Sequence, residues 1–256
     1  MKIRNIIIVL MIFLSFRSYV LAEQKQYIQV MHENKYQKQS DTVKTKSVPA
    51  KSQQVLNNEE YNRYINEALK QIDQNNLFGA QTSLTRALDI NPNSVKALKI
   101  RGQVKNRLGD NVGALQDLNK AISLKPDGDC YYARGVVKLS TQNYPEAVND
   151  FSKAIEENKS DDMAYHQRGY SYCLWGKSTG NNSYFVAALY DFNKSISLNP
   201  SNIESYLYRG MAKAELKGAN AGLADIEYAM NEYQRIGDSS AYQRSVEIYN
   251  WIKKDY

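Results

Sequence analysis

The run Gly176-Lys177-Ser178-Thr179 is the stretch that most resembles chemistry, because Gly-Lys-Ser/Thr closes the loop that cradles nucleotide phosphates. That loop also needs a glycine five residues ahead, so that backbone N–H groups can approach the phosphates, and a strand before it. Ser171 stands at that place and no strand pattern precedes it. The run is instead read as a long turn, with Gly176, Gly180, Asn181 and Asn182 supplying turn residues. No nucleotide is expected. Asn181-Asn182-Ser183 also fits a glycan acceptor pattern. His32 and His166 are the only histidines and lie far apart in sequence. Neither a metal cluster nor a Ser-His-acid set is therefore visible. The chain is not read as an enzyme, and no catalytic residue, metal or cofactor is expected.

Two other residue types recur together. Arg101, Arg134, Arg168 and Arg209 are each followed by an aspartate, at Asp117, Asp150, Asp191 and Asp225. Such a series could bind an anionic ligand through a row of guanidinium groups, or it could bridge its own carboxylates. The choice depends on the elements that carry it.

Those elements repeat. SLTRALDINP (83–92), DLNKAISLKP (117–126), DFSKAIEENK (150–159), DFNKSISLNP (191–200) and DIEYAMNEYQ (225–234) are variants of one ending. Gly102, Gly135, Gly169 and Gly210 are spaced by 33, 34 and 41 residues, and Ala87, Ala121, Ala154, Ser195 and Ala229 keep step with them. A period near 34 marks a helical repeat array. Each unit combines small residues that let two helices approach with large ones that fill the gap, such as Leu84, Leu118, Phe151, Phe192 and Ile226. Pro92, Pro126 and Pro200 end the second helix, because proline lacks an N–H and clashes with the preceding turn.

Over roughly residues 60–235 the chain resembles the tetratricopeptide-repeat family. The resemblance implies an all-α, right-handed superhelical solenoid of helix-turn-helix units with a C-terminal capping helix. Five units are expected within 59–235, at 61–94, 95–127, 128–161, 162–202 and 203–236. The extra residues of the fourth are assigned to the turn containing Gly176-Lys177-Ser178. A capping helix is expected over 238–256, opened by a Ser240/Gln243 capping box. Antiparallel packing sets each repeated Arg level with the Asp of its own unit, so Arg–Asp bridges are expected. Cys130 and Cys173 sit about nine residues of helical rise out of register, about 13 Å, so two free thiols are expected.

In this family a concave groove is lined by the first helices. The matching positions are Lys99 and Gln103, then Tyr132 and Val136, then Met163, His166, Tyr170 and Cys173, and finally Leu207 and Met211. Tyr and Met suit an adaptable peptide site. The expected function is therefore a scaffold that holds a partner peptide or protein in this groove. The alternative is a cell-envelope binder of a glycan or small molecule in the same groove. A carboxylate clamp for chaperone tails is not expected: Lys99, Gln103, Ala133, Met163 and Gln167 stand at its positions, and only Lys99 matches.

The ends and the charge complete the reading. Residues 1–22 carry Lys2, Arg4 and Arg17, an apolar run, and small residues Val20 and Ala22 before a cut, the layout of a secretory signal peptide. Export to a periplasm or the outside is expected, with membrane tethering if the segment stays uncleaved. The run is too short to span a bilayer, so the mature chain is expected to have no integral membrane span. Residues 23–58, rich in Gln, Lys, Ser and Asn, read as a disordered linker. Residues 60–256 hold 24 Lys and Arg against 23 Asp and Glu, a near balance that argues against nucleic acid.

Overall fold

The computed structural model describes residues 50–255. The expected signal peptide and most of the expected linker lie outside the described residues. Residues 50–58, assigned to the linker from composition, are instead the start of a helix. No glycine or proline lies within Ala50–Asp73 to break the helical ladder.

Every regular element among the described residues is helical. The order is α1 (Ala50–Asp73), α2 (Leu77–Ile90), α3 (Val95–Arg107), α4 (Asn111–Leu124), α5 (Gly128–Ser140), α6 (Tyr144–Glu157), α7 (Asp162–Thr179), α8 (Asn182–Leu198), α9 (Ile203–Lys217), α10 (Leu223–Ile236) and α11 (Ser239–Asp255). A single 3-10 turn, Ala219–Ala221, joins α9 to α10. Short polar residues start most of these helices by accepting an otherwise orphaned N–H. Asn76 caps α2 through Gly79 N at 3.0 Å, and Asp110 caps α4 through Gly113 N at 2.8 Å.

The pairs α1/α2, α3/α4, α5/α6, α7/α8 and α9/α10 are the five units. Leu84, Leu118, Phe151, Phe192 and Ile226 are all completely buried between the two helices of their pair. Helix approach is closest in the last unit, where a Cβ on Gly222 would run into the Gly210 carbonyl. From α2 onward each helix packs on its chain neighbours, and successive first helices (α3, α5, α7 and α9) also touch one another. The first helices therefore form a continuous inner row, the geometry of a solenoid.

Two expectations need correction. The fourth unit does not carry its extra residues in a turn: α7 has 18 residues where α5 has 13, and α8 has 17 where α6 has 14. Trp175–Thr179 is the last turn of α7, and the reversal is confined to Gly180, at φ +68°, and Asn181. The cause is packing. Gly176 is buried against the Phe185 ring, and Trp175 stacks on Tyr184 with ring centroids 4.0 Å apart, so the added residues pair with each other as helix. The capping box is also displaced. Asp238 opens α11, its carboxylate accepting from Ala241 N at 2.9 Å, and Ser240 is exposed. A carboxylate at the cap outcompetes a hydroxyl two residues later, since it also meets the helix dipole.

Candidate functional site

The repeated arginines face their own carboxylates. Arg101 donates through Nε and Nη2 to the two oxygens of Asp117 at 2.8 and 2.7 Å. Arg134–Asp150, Arg168–Asp191 and Arg209–Asp225 repeat this two-pronged pair at the same two distances. The third nitrogen crosses to the preceding unit. Nη1 donates to Thr85, Asn119, Ser152 and Asn193 in turn, at 3.3, 2.7, 3.0 and 2.8 Å. Each arginine thus ties two helices of its own unit to the unit before it, which leaves no row of guanidinium groups for an anionic ligand.

A second cation joins the pair one turn further along three of the first helices. Lys105, Lys138 and Lys213 reach Asp117, Asp150 and Asp225 at 2.9, 2.7 and 2.8 Å. In the fourth unit Tyr172 stands at that place. The electrostatic result differs accordingly. Burial raises the Asp191 carboxyl above its ordinary range, and Arg168 alone does not offset it. Burial acts the same way on Asp225, but Arg209 and Lys213 together outweigh it and hold that carboxyl below its ordinary range. The first unit, lacking both charges, replaces the bridge with a neutral bond from Ser83 Oγ to Gln71 Oε1 at 2.9 Å.

The inner row of helices carries two hollows. The larger, of about 410 Å³, lies between α1, α3, α5 and α7. Ile100, Val104, Ala133 and Val136 line it with Gln103, Arg107, Tyr132 and Gln167, and no carboxylate takes part. Tyr132 is held edge-on against Phe151, with centroids 5.6 Å apart. Arg107 donates to Asn75 Oδ1 at 3.0 Å. The smaller hollow, of about 250 Å³, lies between α7, α9 and α11 and is lined by Tyr170, Cys173, Met211 and Tyr208 together with Leu174, Phe185 and Ile248. Lys177 and Glu215 also line it, paired with each other at 3.6 Å.

Of the residues expected in the groove, Gln103, Tyr132 and Val136 meet in the first hollow, and Tyr170, Cys173 and Met211 in the second. Lys99 is half-buried and ion-paired with Asp129, and Met163 is exposed beside the Asn202 amide. His166 and Leu207 need correction: they are 2% and 1% exposed and line neither hollow. The next layer of helix covers each. Leu207 is taken into a cluster with Ala241 and Ile252 of α11. His166 is covered by α9, where Nδ1 meets Ser205 Oγ at 2.8 Å and the ring lies 5.8 Å from that of Tyr208.

His166, Ser205 and Ser195 form a buried polar chain, the two serine oxygens being 2.8 Å apart. Burial pushes His166 down to about 4, so the imidazole is neutral at physiological pH. Glu204 lies 3.7 Å from Nε2, which superficially completes a Ser-His-acid set, but both serines are fully buried and no substrate can reach them. The signal for this chain in the sequence is Ser195 itself, the one departure from the Ala that the other units place there. The second hollow's Ile248 has no such signal, because α11 lies outside the repeat register.

Cys130 and Cys173 are free. Among the described residues no three His, Cys, Asp or Glu side chains gather as a metal site, and no helix is long and apolar enough to cross a membrane.

No family model matches the chain. Known proteins nevertheless share both its sequence and its fold. It is 27% identical over 210 residues to the human mitochondrial import receptor subunit TOM70, a match covering 73% of this chain and 34% of that receptor. It is 26% identical over 129 residues to human tetratricopeptide repeat protein 13, covering 50% of this chain and 14% of that protein. The chain thus spans about a third or less of the length of these curated relatives. Among solved structures, YrrB, a TPR protein with an unusual peptide-binding site, aligns with a TM-score of 0.55 at 21% identity, covering 78% of this chain and 100% of that one. Repeat, helix pairs and inner row together define a helical-repeat solenoid. The chain has the repeat and the fold of the tetratricopeptide-repeat proteins it resembles.

Proposed function

We propose that the protein is an interaction scaffold whose inner face holds an extended partner peptide across the two hollows. The carrying observation is their arrangement: two concave, mostly apolar recesses on one row of helices, joined through α7, whose Gln167 lines the first and Tyr170, one turn on, the second. Recesses of this kind accept anchor side chains, with a polar group such as Gln103 left for the backbone of the guest. The peptide-binding site in the name of YrrB, a protein of the same fold, supports the reading. The test is selection of random displayed peptides on the full chain. Peptides that bind the wild type should bind Tyr132→Ala about 30-fold more weakly, the loss of about 2 kcal/mol that an aromatic anchor carries. Selected peptides that bind Tyr132→Ala equally well would place recognition elsewhere.

The proposal includes export, supported by the basic start and apolar run of residues 1–22. N-terminal sequencing of the mature protein should begin at Glu23, and a retained Met1 in exported material would contradict cleavage.

A further inference from the structure

We infer that the hollow between α7, α9 and α11 is the socket for a single uncharged aromatic side chain of the docked peptide, Trp or Phe; this rests on the peptide reading above. Size comes first. The hollow measures about 250 Å³, below the roughly 300–1,000 Å³ of sites that take drug-sized molecules. A cavity of about 150 Å³ already takes benzene. One ring with its linking carbon fits the recess.

The lining selects the ring's chemistry. Met211 and Cys173 present sulfur, which packs favourably on aromatic rings, and Tyr170 and Tyr208 lie with their own rings 4.6 Å apart. The two charges at the hollow, Lys177 and Glu215, offset each other, and Lys177 also sits 4.7 Å over the Trp251 ring. Burial pushes the Cys173 thiol up to about 12 and raises both tyrosine hydroxyls, so these groups stay neutral. A charged guest would lose its water and find no unpaired opposite charge. An uncharged aromatic group gives up little and gains contact on several sides.

The wall supplied by α11 is what makes this a socket. The groove positions of a repeat leave the end of the array open, and Ile248 of α11 closes it. Helix α7 lines both hollows, through Gln167 in the larger and Tyr170 in the socket, so one peptide laid along it can reach both.

The experiment uses the full chain with 13C-labelled methionine methyl groups and N-acetyl-tryptophanamide as probe. The Met211 methyl resonance should shift saturably with this probe and stay in place with N-acetyl-glycinamide. Ile248→Trp, which fills the socket from the capping helix, should reduce the shift at least fivefold. A second measurement needs no variant: intermolecular nuclear Overhauser effects should link the Met211 methyl group to the indole protons of the bound probe. No Met211 shift together with no such Overhauser effect overturns the socket. Displayed peptides separate this from the scaffold reading. Enrichment of Trp or Phe that disappears on Ile248→Trp supports the socket. Peptides without aromatic preference that still fail on Tyr132→Ala overturn the socket and leave the groove standing. A Met211 shift with no peptide selected at all makes the hollow a small-molecule site, which overturns the peptide side chain as its occupant and the scaffold reading with it.

Discussion

The Arg–Asp ladder gives a graded experiment, because one of its four rungs lacks the second cation. Asp150 keeps Lys138 at 2.7 Å if Arg134 is removed, whereas Asp191, 1% exposed, has Arg168 as its one basic partner. Arg168→Met therefore leaves a buried carboxylate with no cation, a defect that costs about 3–5 kcal/mol. Arg134→Met loses charge-assisted hydrogen bonds but leaves a neutralised acid, at a cost of about 1.5–3 kcal/mol. The difference is about 2 kcal/mol, or about 4–8 °C in melting midpoint for a chain of this size. Thermal unfolding followed by circular dichroism at pH 7 measures it. The pH dependence carries a second check. A carboxyl raised in the folded state favours folding as pH falls through its folded value, because the folded chain then holds the proton more tightly. Asp191 is raised already, and Arg168→Met removes the guanidinium that opposes burial. The deficit of Arg168→Met should accordingly narrow on acidification, from above the ordinary carboxylate range downward. Adding Tyr172→Lys, which restores the second cation of the other rungs, should recover part of it. If Arg168→Met melts no lower than Arg134→Met, or if the gap is independent of pH, the account of the ladder as charge neutralisation in a buried site is wrong.

Other outcomes follow from single sites. His166 is held down to about 4 from an ordinary 6.5, so the unfolded chain takes the proton first. Stability should then fall by about 3 kcal/mol between those two pH values, at about 1.4 kcal/mol per pH unit. His166→Gln should flatten that slope in urea titrations at pH 7 and pH 4.5. Gly222→Ala places a methyl group against the Gly210 carbonyl, which is backbone and cannot rotate away; a loss of about 2–3 kcal/mol is expected from overpacking. Gly180→Ala meets nothing within 4 Å but holds φ at +68°, so its cost should be nearer 1 kcal/mol, the strain of a left-handed residue; equal midpoints for the two variants would contradict this. Intact-mass measurement after alkylation in denaturant should count two free thiols, and a native Cys130–Cys173 bond would refute the helix register.

The period of about 34 residues, the small residues at helix contacts and the co-occurrence of Arg and Asp are local facts. Each unit repeats the same packing problem, so the sequence by itself determined the helix pairs, their order and the internal bridges. Which first-helix residues line a groove was implied by the resemblance to the repeat family and did not follow from spacing alone. Tertiary contact decided the rest. Whether the added residues of the fourth unit form turn or helix depended on Trp175 stacking on Tyr184 across the pair. Asn76, Asp110 and Asp238 cap their helices through local chemistry, each accepting an N–H of the first turn. His166 and Leu207 occupy inner-row positions, and only the layer laid over them by α9 and α11 took them out of solvent. The second hollow has the same origin. A repeat specifies what touches the next repeat, whereas the last unit touches a helix of different sequence, so its surface could be known only once Ile248 had closed it.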